Sequence, residues 1–192
     1  VDNDAVTPTD PWPAGASDLG ENMSLTGANE PLGEGDRIRI RMTLEVNNAS
    51  WPEATETFKL QYGRRTSSCS AISSWSDVGA PGSGTIWRGY DATPADGSAI
   101  ASTSLLISLA DVGATYEEEN NSVVNPNFAD VGQNVEFDWL VDHNGAFQQS
   151  DYCFRMVKAD GSTLAAYNFY PTIRTRILVL SLRSSRLLAS LP

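Results

Sequence analysis

Residues able to carry chemistry are few in this chain of 192 residues, which holds two cysteines, Cys69 and Cys153, and one histidine, His143. Two thiols allow one disulfide or two free buried cysteines, and zinc catalysis lacks ligands. His143 lies between Asp142 and Asn144. Because serines are plentiful, a serine–histidine–aspartate set can be drawn on the sequence, but without geometry it means nothing. A histidine capping a turn is the expectation. Paired carboxylates for glycoside hydrolysis depend on separation in space, which spacing along the chain does not supply. No active site is legible, and the chain is expected not to be an enzyme.

Two softer signals remain. Of five tryptophans, Trp75 and Trp139 are expected in the core, while Trp12, Trp51 and Trp87 are flanked by polar or turn residues. Exposed indole rings stack on sugars or bind partners, so these three are candidate partner or glycan contacts. Asp91 with Asp96, or residues 117–119 with Asn120, could offer oxygens to calcium. Calcium wants about six to eight oxygens, which linear acidic runs rarely bring together. Solvated acidic loops, with no cofactor, are expected.

Charge narrows the partners further. All 24 acidic residues lie within the first 160, beside nine of the 13 basic ones, leaving a net −15 there and +4 in the last 32. Such an acidic body repels nucleic acid and anionic membrane surfaces. No run approaches the ~20 apolar residues of a membrane-spanning helix. Only two lysines occur among abundant Ser, Thr, Asn, Gly and Ala, a surface common in secreted proteins.

Strands must position these residues. Residues 36–47 alternate strictly, with Ile38, Ile40, Met42, Leu44 and Val46 on one face and Arg37, Arg39, Arg41, Thr43 and Glu45 on the other. That is a strand with one wet face, its arginines paired across to acids. Residues 57–62 repeat the pattern with Phe58, Leu60 and Tyr62 inward. Short strands are expected at 21–27, 75–78, 87–90 and 104–109, and a longer one at 134–141. The acidic, Asn-rich stretch 115–128 is expected to be a long excursion. Residues 151–158 place Tyr152, Phe154 and Met156 inward, and Asp160-Gly161 turns the chain into a partner strand at 164–175 carrying Leu164, Tyr167, Phe169 and Ile173. Seven to nine short strands joined by Gly, Pro and Asn turns imply an all-β, two-sheet antiparallel sandwich.

The inward strand Val135, Phe137, Trp139, followed by a loop, Tyr152-x-Phe154-x-Met156 and the Asp160-Gly161 hairpin, resembles the end of a fibronectin type III or immunoglobulin-like domain. More narrowly, R-I-R-M-T-L-E-V, C-S-A-I-S-S-W-S-D-V-G and D-Y-C-F-R-M-V-K-A-D-G-S resemble immunoglobulin-like modules repeated in large predicted surface proteins of uncultivated bacteria. The resemblance implies that Tyr152 is a corner tyrosine bonded back to the preceding loop. It also implies an extracellular or cell-surface location. Cys153 directly follows that tyrosine and so faces outward, unable to bridge the two sheets. In such a sandwich it meets Cys69 at the same pole, within one sheet, where a bond closing so long a loop stabilises by about 4–5 kcal/mol in the chain-entropy picture.

Residues 1–20, rich in proline turns, read as an extended arm or linker, 21–175 as the sandwich, and 176–192 as an atypical basic, apolar tail. That tail is a strand for a neighbour, a sorting segment, or the product of a frame slip. The expected function is a non-catalytic structural or adhesive module. It would assemble with copies of itself or other surface proteins through arm or tail. The alternative is a carbohydrate-binding module or accessory domain of a secreted hydrolase.

Overall fold

In the computed structural model, residues 32–102, 105 and 111–176 are described. The expectations for the arm with Trp12, for strands at 21–27 and 104–109, and for the tail beyond Arg176 lie outside those residues. Alternating apolar side chains fold the rest into β1 (Arg37–Glu45), β2 (Phe58–Arg65), β3 (Ser76–Asp77), β4 (Trp87–Gly89), β5 (Val112–Glu117), β6 (Asn134–His143), β7 (Asp151–Lys158) and β8 (Thr172–Arg174). The protein is all-β. One sheet runs β1-β6-β4, with β5 also paired to β6, and the other runs β3-β2-β7-β8.

All strand pairs are antiparallel except β5–β6, which is parallel and carries a register shift between Gly113 and Tyr116. Strand β5 corrects the long excursion expected from residue 115. Its acidic end disguised a strand, because Glu117 and Glu118 are buried rather than solvated. The partner strand expected over 164–175 shrinks to the three residues of β8. Ile173 faces the core, but Phe169 is 65% exposed, because it lies in the aperiodic stretch before β8 and outside the β7–β8 ladder.

Between the sheets, Phe58, Leu60, Tyr152, Phe154 and Met156 meet Ile38, Ile40, Phe137, Trp139 and Val141. Trp87 sits at the centre, edge-on to Tyr152 and Phe154 at ring separations of 5.5 and 5.3 Å. Burying each large apolar side chain contributes about 1.5–3 kcal/mol, so this interface holds the sandwich together.

The arginine face of β1 is exposed at Arg37 but not wet around Arg39 and Arg41. Arg39 meets Asp138 at 2.8 Å, and Arg41 bonds both Glu136 and Asp138, with all four side chains at most 9% exposed. The cross-strand pairing to acids is present, but Tyr116 of β5 covers it, its ring 5.3 Å from both guanidinium carbons. Burial works against the Arg41 charge, yet Asp138 and Glu136 outweigh it and hold its pKa above the ordinary arginine value. Elsewhere Leu32 and Thr175 form a parallel bridge, so the chain passes both points in the same direction.

Candidate functional site

The outer face of the β3-β2-β7-β8 sheet gathers a polar and aromatic assembly. Cys153 of β7 lies opposite Gly63 of β2, with its side chain on the face away from Tyr152 and Phe154. Cys69, on the short 3-10 turn Cys69–Ala71, is disulfide-bonded to it across a Cα separation of 5.7 Å. The bond therefore lies on one sheet and does not cross the core. Cys153 is nonetheless fully buried, because the loop carrying Cys69 folds back over it. That approach needs a residue without a side chain: a Cβ at Gly63 would come within 2.7 Å of Ile72 Cγ2.

Beside the disulfide runs a stack of rings. Trp75 and Tyr170 lie 5.9 Å apart at 21°, and Tyr170 and Tyr167 lie 5.4 Å apart at 25°. The Arg155 guanidinium sits 4.3 Å over Trp75 and donates two hydrogen bonds to Gln61 Oε1, at 3.0 and 2.8 Å. Tyr167 donates to the Met156 carbonyl at 2.7 Å, and burial raises its pKa. Asp77 accepts from Lys59 and Gln61, both at 2.7 Å. Burial would raise Asp77, but these donors and the lysine charge hold it below its ordinary value. The three rings are half-buried. They form a fixed, amphipathic edge suited to flat, hydroxyl-bearing ligands or to another protein surface.

At the pole where β6 leads to β7, the Tyr152 hydroxyl accepts a bond from the Phe147 N–H at 3.1 Å, tying the corner to the core. Burial raises its pKa. Thr175 secures the same corner, donating to the Phe147 carbonyl at 2.6 Å and accepting from the Ser150 N–H at 3.0 Å. His143 does not cap a turn there. It is the last residue of β6, 4% exposed, stacked 4.8 Å from Trp87, and neither ring nitrogen has a hydrogen-bond partner among the described residues. A shallow cleft of about 250 Å³ opens beside it, lined by Gly33, Glu34, Phe147 and Arg176 among others.

The tryptophans are redistributed. Trp87 is wholly buried, which removes it as a surface contact for partner or glycan. Its polar and turn-forming flanks point to exposure in the sequence, but the short strand β4 turns the ring inward. Trp51 is half-buried, packed 5.3 Å from Phe58 with Lys158 Nζ 5.7 Å from its ring. Trp75, expected in the core, is on the outer face instead.

The acidic loops bond to backbone groups of neighbouring segments. Asp96 accepts from the Glu118 and Glu119 amides at 2.7 and 3.1 Å. Asn120 accepts from Leu60 N–H at 2.7 Å and donates to the Leu60 and Val78 carbonyls at 3.0 and 2.9 Å. Among the described residues, no group of three or more His, Cys, Asp or Glu side chains is placed to hold a metal. Glu117, near Asp96, is wholly buried. Burial raises its pKa to about 8, despite bonds from Thr115 and Val123.

Comparison with protein families, curated proteins and solved structures found no match.

The disulfide fits an oxidising, non-cytosolic compartment. Among the described residues no helix is long and apolar enough to cross a membrane. Sequence patterning missed Arg155, Tyr167, Tyr170 and Trp75 as one cluster, because three of them sit in loops without periodicity. The available signal was Gly63, a glycine interrupting a good strand, which marks a close approach.

Proposed function

We propose that this chain is a non-catalytic, extracellular structural or adhesive module that assembles with copies of itself or with other surface proteins. The carrying observation is the parallel passage of Leu32 and Thr175. A module strung in line needs its chain to run the same way on entering and on leaving, so that neighbours follow pole to pole. The buried disulfide and the arginine–carboxylate network suit such a load-bearing unit, since both are internal and neither needs a ligand. The arm and the tail supply the subunit contacts in this scheme. Light scattering tests it: concentration-dependent assemblies of the full chain should disappear on deleting residues 1–20 or 176–192. A full chain that stays monomeric at every concentration would count against assembly.

A carbohydrate-binding role is the second reading, favoured by the Trp75–Tyr170–Tyr167 stack with Arg155 and Gln61 beside it. It moves the glycan contact from Trp51 and Trp87 to Trp75. Retardation in gels containing soluble polysaccharide, lost on Trp75→Ala, would support this role over the first.

A further inference from the structure

Glu117 ends β5 with its carboxyl inside the protein. One carboxyl oxygen is bonded by the Thr115 hydroxyl of the same strand, and the other accepts the Val123 N–H at 3.3 Å. A carboxylate has about four acceptor positions, so two donors leave it half-satisfied. The charged group acting on it is another acid, Asp96, on the segment preceding β5, while Glu118 beside it feels Asp91 and Asp96. Its register partner on β6 is the neutral Trp139. Glu136 and Asp138 of the same strand are bonded to Arg39 and Arg41. A buried charge without a cation is costly, and the site prefers the neutral carboxyl.

We propose that Glu117 is a pH-sensitive latch on segment 118–123: protonated, it lets that segment close over the core, and ionised, it drives the segment open to admit water. This segment follows Glu117 directly and supplies Val123, so its opening is what exposes the carboxyl. It is held to β2 by Ser122 N–H to the Phe58 carbonyl at 2.7 Å, by Phe58 N–H to Ser122 Oγ at 2.9 Å, and by Asn120, which bonds both the N–H and the carbonyl of Leu60. Segment 91–98 rides on it, for a Cβ at Gly97 would come within 2.7 Å of Val123 Cγ1. Opening one therefore loosens the other. The direction follows from linkage. The folded carboxyl titrates at about 8, against an ordinary value of 4.5. Full stability holds below the ordinary value, declines as pH rises between the two, and is flat above the higher.

Amide hydrogen exchange on the full chain tests this, with rates corrected for intrinsic pH dependence. Protection at Val123 and Ser122 should fall more than ~10-fold between about pH 5 and about pH 8.5 in the wild type. In Glu117→Gln, which cannot ionise, it should change less than about twofold. An equal fall in both proteins, or none in the wild type, overturns the latch. A carbon-13 titration of the wild-type Glu117 carboxyl needs no variant: a midpoint above about 7 is expected, and one in the ordinary carboxylate range overturns it.

Discussion

Gly63 stands directly opposite Cys153 in the β2–β7 register, and the missing side chain at Gly63 is the gap through which the Cys69 loop reaches the sheet. Valine would suit a strand by propensity, but its Cβ would meet Ile72 and Trp75. Gly63→Val is expected to destabilise by about 1–3 kcal/mol, the usual cost of overpacking. The urea midpoint measures it, and an unchanged or higher midpoint would show that the loop does not press on β2.

Removing the disulfide should cost about 2–5 kcal/mol, since it closes a long loop; Cys69 and Cys153 are 84 residues apart. Thermal unfolding with and without reductant reads the difference. Alkylation of the denatured, unreduced protein should leave its mass unchanged.

Arg41 sits between Glu136 and Asp138 in a nearly dry site. Arg41→Leu leaves buried negative charge under-compensated and should cost about 3–5 kcal/mol. Replacing both arginines, Arg39 and Arg41, and both acids together by apolar residues of similar volume should cost much less, because no charge is left without its partner. A chemical-denaturation comparison of the single and quadruple variants separates the penalty of an orphaned charge from the worth of the network.

Tyr152→Phe removes only the hydroxyl that receives the Phe147 N–H. A loss of about 0.5–1.5 kcal/mol is expected, together with faster hydrogen exchange at Phe147. If stability falls but that amide stays protected, the hydroxyl is not what holds the corner.

Trp87→Ala should cost about 3–5 kcal/mol by emptying the centre of the core. Trp75→Ala, at a half-buried outer position, should cost clearly less. Equal losses in thermal unfolding would mean that Trp75 is as much a core residue as Trp87.

Period-two alternation alone determined a great deal here. It gave β1, β2, β6 and β7, the inward placement of Tyr152, Phe154 and Met156, and the outward placement of Cys153. These are local consequences of the pleat, in which neighbouring side chains take opposite faces whatever the sheet later packs against. Which outward face stays wet is a tertiary matter. Tyr116 covers Arg39 and Arg41 of β1, and the loop through Ile72 and Trp75 covers Cys153 of the disulfide; both covers come from distant or aperiodic sequence. Trp87 and Trp75 exchanged their expected places for the same reason, since a strand of three residues and a loop tryptophan carry no period to read. Glu117 is the sharpest case. In sequence it is the first of three consecutive glutamates, and only the packing of segment 118–123 against β2 makes it a buried acid rather than a solvated one.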